Sequence, residues 1–555
     1  MGIPHLFRHL AANTPGAVRV LPPDARITCE DLYLDFNSVI HNCARVVLDA
    51  LPACGGGDTE AAIVDETVRH LDRLIRRLRP RRTVFVAVDG VPPRAKMHQQ
   101  RMRRFMSAWR TERGIDAGVW DKNAITPGTA FMASLADALH AYAAGYSSGL
   151  DVEVSDATAK GEGEQKMFGR MRARPSKDVV VYGLDADLLL MAMLFPGHDA
   201  VRVVREQGAG QDDAMQIVDV KALVRGVSAA MAHPSDFDED VIGSRVRDFV
   251  ALTLLLGNDF VPALPGMRIR DGAIDALIRA YKTVRTNVGD GRVRLAVGGP
   301  DALGGINTRV LAALFRALAD CEDGTVARAD KAYYDRSRWA SRTPTASRDV
   351  EDYPAHAPFP PIVRPGDGSG WRLRYYHHLF GVSDAASVRE ACLLYVAGVA
   401  WSLCYLEQRC LSTGWCYPHE YAPTARDLCN LLADTDLARE VGDLMDASER
   451  RMHVTAPLPE GWQLLLVLPP ASAALLPSDA VRRVMLDPEL GCTHAFPRRI
   501  NVATYLRDKL WECMPLLPPV DVEAVRVAVG QAVGQAVGLG RGQGQRGVLL
   551  SPAIL

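Results

Sequence analysis

Apolar residues fall along this chain in two rhythms. From Val84 to Val88 they run without alternation, as in a strand covered on both faces of a parallel sheet, and Asp89-Gly90 closes the run. The same figure recurs where Leu32-Tyr33-Leu34 ends on Asp35 and where Val179 to Tyr182 leads to Asp185 and Asp187. It appears again where Phe249 to Leu256 leads to Asp259. Between these runs the period lengthens to 3.6 residues. Helices are expected over Met1 to Leu10, Glu60 to Leu78, a run ending near Tyr146, and Arg268 to Tyr281. Strands alternating with helices predict an α/β sheet, and open sheets of this kind bind ligands beyond the carboxyl ends of their strands.

The helix after Val88 carries the second half of the pattern. Pro92 and Pro93 suit its opening turn, so it is expected from about Pro93 to Arg110. Lys96, Gln100, Arg103 and Arg104 fall on one side of it, and Met102, Phe105, Met106 and Trp109 on the other. A solvated Arg-rich face is the ordinary reading of such a helix. The neighbouring carboxylates open a second one, a site where cations and metal-binding acids together hold a reacting phosphate.

The pattern divides the chain into an α/β core over residues 1–285, a variable connection and linker over 286–370, and a largely helical segment over 371–524. Residues 525–555, with Gly530-Gln531-Ala532-Val533-Gly534-Gln535-Ala536-Val537-Gly538 and a later Gly-Arg-Gln run, are expected to be a disordered low-complexity tail. Gly55-Gly56-Gly57 reads as a loop, and residues 196–244 as an excursion of uneven composition.

If the apolar runs share one parallel sheet, Asp35, Asp89, Asp185, Asp187 and Asp259 converge on one rim. Glu162 and Glu164, spaced by Gly163, join them, because a small residue lets the backbone approach an ion. So many like charges raise one another's pKa or recruit divalent cations. Oxygen ligands without paired Cys or spaced His suit Mg²⁺ or Mn²⁺. Two such ions about 4 Å apart activate water and hold the leaving oxygen of a phosphodiester. His41, just past Asp35, is either a structural imidazole or a ligand contact. Trp415, in the aromatic loop Gly414 to Pro423, is either a packing anchor or a stacking platform for a base.

Composition narrows these options only a little. The 555 residues are 48% hydrophobic and carry a formal net charge of −2, so no global basic field marks a nucleic-acid binder. From Arg69 to Arg113, however, arginine predominates and only Asp72, Asp89 and Glu112 are acidic, enough for a local phosphate-binding patch. Eleven cysteines lie singly with no Cys-x-x-Cys pair, which points to a reducing, intracellular compartment, cytoplasm or nucleus. No membrane span or signal segment is expected, since the most apolar late run is broken by Pro469-Pro470.

Taken together these residues resemble the Xrn family of 5′→3′ exoribonucleases. The resemblance is carried by Met1-Gly2-Ile3-Pro4, Tyr33-Leu34-Asp35 through Cys43, Asp89-Gly90 through Phe105, and Gly161-Glu162-Gly163-Glu164. It continues in Tyr182 to Asp187, Gly257-Asn258-Asp259-Phe260-Val261-Pro262, the Trp401 segment, Trp415-Cys416-Tyr417-Pro418 and Leu468-Pro469-Pro470-Ala471-Ser472. It implies a Rossmann-like core of the PIN and flap-endonuclease group, with a helical segment closing the active site. It further implies that Asp35, Asp89, Glu162, Glu164, Asp185, Asp187 and Asp259 hold two Mg²⁺ ions. Lys96, Gln100, Arg103 and Arg104 would receive a 5′-monophosphate, and His41 and Trp415 would sandwich the terminal base.

The chain departs from the family pattern at Lys160 for a usual Pro, Gln165 for His, and Thr413 for a second Trp. It also lacks the long carboxyl-terminal domains of some members, so a compact, viral-type form is the expectation, acting as a monomer on single-stranded RNA. The implied reaction is processive hydrolysis of 5′-monophosphorylated RNA to nucleoside 5′-monophosphates. A flap-type DNA nuclease, a catalytically inert RNA-binding scaffold and a phosphatase built on Asp185 and Asp187 are the rival readings.

Overall fold

The computed structural model describes residues 2–540 except 51–57, 117–119, 147–148, 207–213, 235, 237–239, 289–292, 298–302, 344–348, 365–367, 369, 434–436 and 452–459. The glycine loop at 55–57 and the glycine run after 540 thus lie outside the described residues.

A seven-stranded sheet forms the body, built from β1 (Val18–Leu21), β2 (Cys29–Asp35), β3 (Pro80–Ala87), β4 (Asp151–Ser155), β5 (Val179–Tyr182), β6 (Val201–Glu206) and β7 (Met215–Asp219). Their spatial order is β1-β7-β6-β5-β2-β3-β4. Strands β2 to β6 are parallel, and β7 and β1 close one edge antiparallel. After β1 at the edge, the chain enters the middle of the sheet with β2, walks outward through β3 and β4, then returns to lay β5 on the other flank of β2. The crevice between β2 and β5 is therefore the topological switch point, where this architecture binds ligands.

Both faces of the sheet are covered, as the unbroken apolar runs require. Leu32, Leu34, Val84, Val86 and Val180 pack on one side with Phe36, Ile40, Leu71 and Leu135. Tyr33, Phe85 and Val181 pack on the other with Phe168, Leu188 and Phe249. Helix Ala385–Leu406 is apolar all round because it lies inside the second cluster, where Tyr395 to Leu406 are all buried. It alone among the described residues is long and apolar enough to cross a membrane.

Four expectations need correction. The run Phe249 to Leu256 is not a strand: it belongs to helix Val241–Leu254, so Asp259 arrives from a helix end through Gly257. A short, uniformly apolar run serves a buried helix as well as a buried strand. The supposed excursion over 196–244 supplies β6, β7 and helix Val220–Met231. The connection over 286–370 contains the 35-residue helix Thr308–Arg342. Lastly, the tail is helical over Val522–Gly540, with Val525, Ala528, Val529 and Ala532 buried against Val481 and Val484. Their spacing of three, four and seven residues is an amphipathic stripe that the Gly-Gln-Ala-Val repetition disguises.

Candidate active site

Five elements deliver the seven carboxylates. Asp35 ends β2, Asp89 follows β3, and Asp185 caps helix Ala186–Leu194 beyond β5 with Asp187 in its first turn. Glu162 caps helix Gly163–Ala173, and Glu164 lies in that helix's first turn. Gly163 makes this approach possible: a Cβ there would stand 2.9 Å from the Ala87 carbonyl oxygen, 3.3 Å from Asp35 Oδ1 and 3.4 Å from Asp89 Oδ1. Its N–H donates to Asp89 Oδ1 at 2.7 Å. A side chain at this position would thus meet two of the acids.

The crowding shows in the protonation of the group. Burial, then Asp89 and Asp185, pushes the Asp35 carboxyl well above its ordinary range. Burial followed by Glu162 does the same to Glu164. Burial, then Asp259, lifts Asp187 to about 7. Glu162 is also raised, chiefly by burial, although Lys96 pulls against it. Asp259 goes the other way: burial would raise it, but the Lys96 ammonium holds it below the usual carboxylate range. The seven acids thus stand within one electrostatic neighbourhood, as their order along the sheet predicts.

Lys96 lies at the middle. Its Nζ donates to Glu162 Oε1 at 2.6 Å and to Asp259 Oδ2 at 2.8 Å. Burial would lower its pKa, but Asp259, Glu162 and Glu164 more than reverse that and keep it charged. Among the described residues no three of the acids already form a coordination shell, and the ammonium holds two of them apart. The donor set is carboxylate oxygen throughout, with Asp35, Glu162 and Asp187 buried, which fits a hard divalent cation.

The cationic helix spans Arg94–Glu112, close to its expected bounds. Gln100 is buried, Arg103 is exposed, and neither makes an ion pair among the described residues. Arg104 donates through Nε to Thr126 Oγ1 at 2.9 Å. Its guanidinium is pushed down to about 9 by burial and by the adjacent Arg103, against the pull of Asp89 and Asp121. His41 is exposed; desolvation by the surrounding protein, then Arg103, Arg104 and Lys122, push its imidazole down. It therefore borders this cationic pocket, with Asp185 among its nearer charges.

Trp415 does not join it as expected. The side chain is 1% exposed. It packs against Trp401 with ring centroids 5.7 Å apart, and a Cβ on Gly398 would touch its ring at 2.7 Å. Enclosed in this way, the ring has the burial that the packing-anchor reading of the aromatic loop expects. The loop meets the cationic helix through Thr413, whose carbonyl oxygen accepts the Arg94 N–H at 2.8 Å. A threonine stands there, without a stacking face.

Three participants escaped the sequence reading. Asn37 clamps Asp89, donating from Nδ2 to Oδ2 at 3.0 Å and accepting the Asp89 N–H at 2.9 Å. The Tyr405 hydroxyl donates to Glu162, with its ring stacked on Trp401. Lys166 donates to the carbonyl oxygens of Val88 and Asp156, tying the Glu162 helix to the end of β3. Asn37, two residues after an acid that ends a strand, carried a readable signal; Tyr405, from 240 residues away, carried none.

Comparison with known proteins bears on the same regions. Residues 1–207 match the family model described as the XRN 5′-3′ exonuclease N-terminus, and residues 239–295 and 362–533 match that described as the Xrn1 helical domain. The curated 5′-3′ exoribonuclease 2 of Debaryomyces hansenii is 26% identical over 94% of this chain and 69% of its own. That of Gallus gallus is 26% identical over 95% and 70%. The 5′-3′ exoribonuclease 2 homolog of Drosophila melanogaster is 27% identical over 94% and 70%.

Proposed function

Because this chain belongs to the Xrn family of 5′→3′ exoribonucleases, we propose that it degrades single-stranded RNA from a 5′-monophosphate, with two Mg²⁺ ions held by its seven acids. The observation that carries this reading is the adjacency of two opposite charge pools. An acid cluster holding the Lys96 ammonium borders the arginine pair Arg103 and Arg104, which makes no ion pair among the described residues. A scissile phosphodiester with a free 5′-phosphate one nucleotide away matches both pools at once.

Asp35, Asp89, Glu162, Glu164, Asp185, Asp187 and Asp259 would hold the metal ions, which supply a water activated for attack and a counter-charge for the leaving oxygen. Asn37 and Tyr405 keep Asp89 and Glu162 oriented. Lys96 stays charged beside Asp259 and Glu162 and neutralises phosphate at the junction of the pools. Gln100, Arg103 and Arg104 receive the terminal phosphate. A triphosphate or cap brings more charge and bulk than this pocket matches. His41 offers one face to the terminal base, and Trp415 offers none. Contacts to phosphate and to one ring face leave base identity unread, and each cut would release a nucleoside 5′-monophosphate.

The test compares decay of one RNA sequence bearing 5′-monophosphate, 5′-triphosphate or 5′-hydroxyl, in Mg²⁺ and in chelator. Rapid loss of the monophosphate form alone, and only with Mg²⁺, is expected. Equal decay of all three ends would overturn the pocket assignment, and full activity in chelator would overturn the metal assignment.

A further inference from the structure

The cationic pocket is held from behind by a segment some 360 residues away. Helix Glu460–Val467 packs against helix Arg94–Glu112, and Gln463 Nε2 donates to Gln100 Oε1 at 2.8 Å. Gln463 is fully buried among Leu464, Leu465 and Leu466, where an apolar side chain would be the cheaper occupant. Among the described residues its own Oε1 has no partner, a cost of about 1 to 3 kcal/mol for a buried acceptor. The side chain is kept for its donor end. With Gln100 Oε1 engaged, the amide N–H₂ of Gln100 is the end left for an incoming anion, which is the polarity a phosphate oxygen needs.

A second link from the same stretch reaches Arg104. Ser472 Oγ accepts from Asn123 Nδ2 at 2.9 Å, with both side chains buried. The Asn123 carbonyl oxygen accepts from Thr126 Oγ1 at 2.7 Å, and Thr126 Oγ1 in turn accepts Arg104 Nε at 2.9 Å. The stretch from Gln463 to Ser472 therefore touches the supports of two pocket residues that lie one helical turn apart.

We propose that Gln463 is a positioning residue for 5′-phosphate selection, fixing Gln100 as a donor, with Ser472 bracing Arg104 through the turn at Asn123. This rests on the pocket reading above. Gln463→Met keeps length and volume while removing the donor. It should lower the preference for 5′-monophosphate over 5′-hydroxyl RNA about three- to tenfold, through KM with kcat unchanged, since one hydrogen bond to an anion loses its fixed donor. In a Gln100→Ala background the same substitution should change the preference no further, because coupled residues do not add. Ser472→Ala, a milder change that keeps the fold testable, should lower the preference about twofold.

An equal loss on both RNA ends, or an undiminished effect in the Gln100→Ala background, would overturn the proposal in favour of plain packing. A preference that Gln463→Met and Ser472→Ala both leave intact would overturn it too. If the unvaried protein shows no preference for the monophosphate, the pocket reading itself fails, which is a different result from loss of the brace.

Discussion

Two buried charge clusters in this molecule are built on opposite principles. Around Lys96, seven carboxylates share its ammonium, and burial pushes Asp35, Glu162, Glu164 and Asp187 upward. Around Asp236, one carboxylate that is 2% exposed meets three arginines, at 2.6 Å from Arg245, 2.6 Å from Arg285 and 2.8 Å from Arg294. Asp248 completes that cluster, accepting from the Tyr281 hydroxyl at 2.5 Å and the Ala296 N–H at 2.8 Å. The second cluster is largely paired from within, two carboxylates serving three arginines, and ties helices Val241–Leu254 and Ala273–Val288 together. The first is not, and a surplus of one sign held in a crevice is what a cation-dependent site requires. Burial of charge alone does not mark function; imbalance does.

The largest effect that tests this contrast is expected at the unbalanced site. Asp187→Asn should cut RNA decay by roughly 10³-fold, as loss of a group aimed at the reacting phosphate does. The melting temperature should hold or rise, because one of several repelling charges is gone. A melting temperature that falls steeply instead would make the acid cluster a structural device. Asp236→Ala should do the reverse, costing about 3 to 5 kcal/mol in denaturant unfolding by leaving buried arginines unpaired. The protein that remains folded should keep its kcat.

Cation binding sharpens the comparison next. Mg²⁺ at about a hundred times its dissociation constant should stabilise the unvaried protein by about 2.7 kcal/mol. That increment should vanish in Asp35→Asn and persist in a variant of the Asp236 cluster, as read by thermal melts with and without chelator.

Strong acid should loosen the Asp236 cluster. Burial alone would raise Asp236, but the His233 N–H and the guanidiniums of Arg285 and Arg245 drive it far below the usual range. A depressed carboxyl contributes stability that is complete above its unfolded pKa near 4 and is lost as pH falls through the folded value. Unfolding free energy should therefore drop below about pH 4, and Asp236→Asn should flatten that drop. The smallest effect concerns base grip: Thr413→Trp should lower KM by the equivalent of about 1 to 3 kcal/mol if the position beside Arg94 faces the terminal base. An unchanged KM would show that His41 works alone.

The contrast also explains what could be read from sequence. The acids at Asp35, Asp89 and Asp185 were legible because a parallel strand must be apolar on both faces, so the first polar residue after it announces the rim. Asp259 was found for a partly wrong reason, since its apolar run is a helix and not a strand. Strands β1, β4 and β7 escaped because they are four or five residues long and lie at or near the sheet's edges, where one side is half exposed. Trp415 was misjudged because an aromatic loop looks the same whether its rings face a ligand or Trp401. The pairing of Lys96 with Asp259 and of Asp236 with Arg285 depends on how distant helices cross, which no local pattern states.

The tie between Gln463 and Gln100 has a consequence for when this protein becomes dangerous to RNA. During synthesis the acids are complete once residue 259 has emerged, while the phosphate cradle waits for some two hundred more residues. Domains fold in the order in which the ribosome releases them. On the proposed reading, a half-made chain would carry the acids without the brace on Gln100, so its choice of RNA end would sharpen only once residue 463 has folded into place.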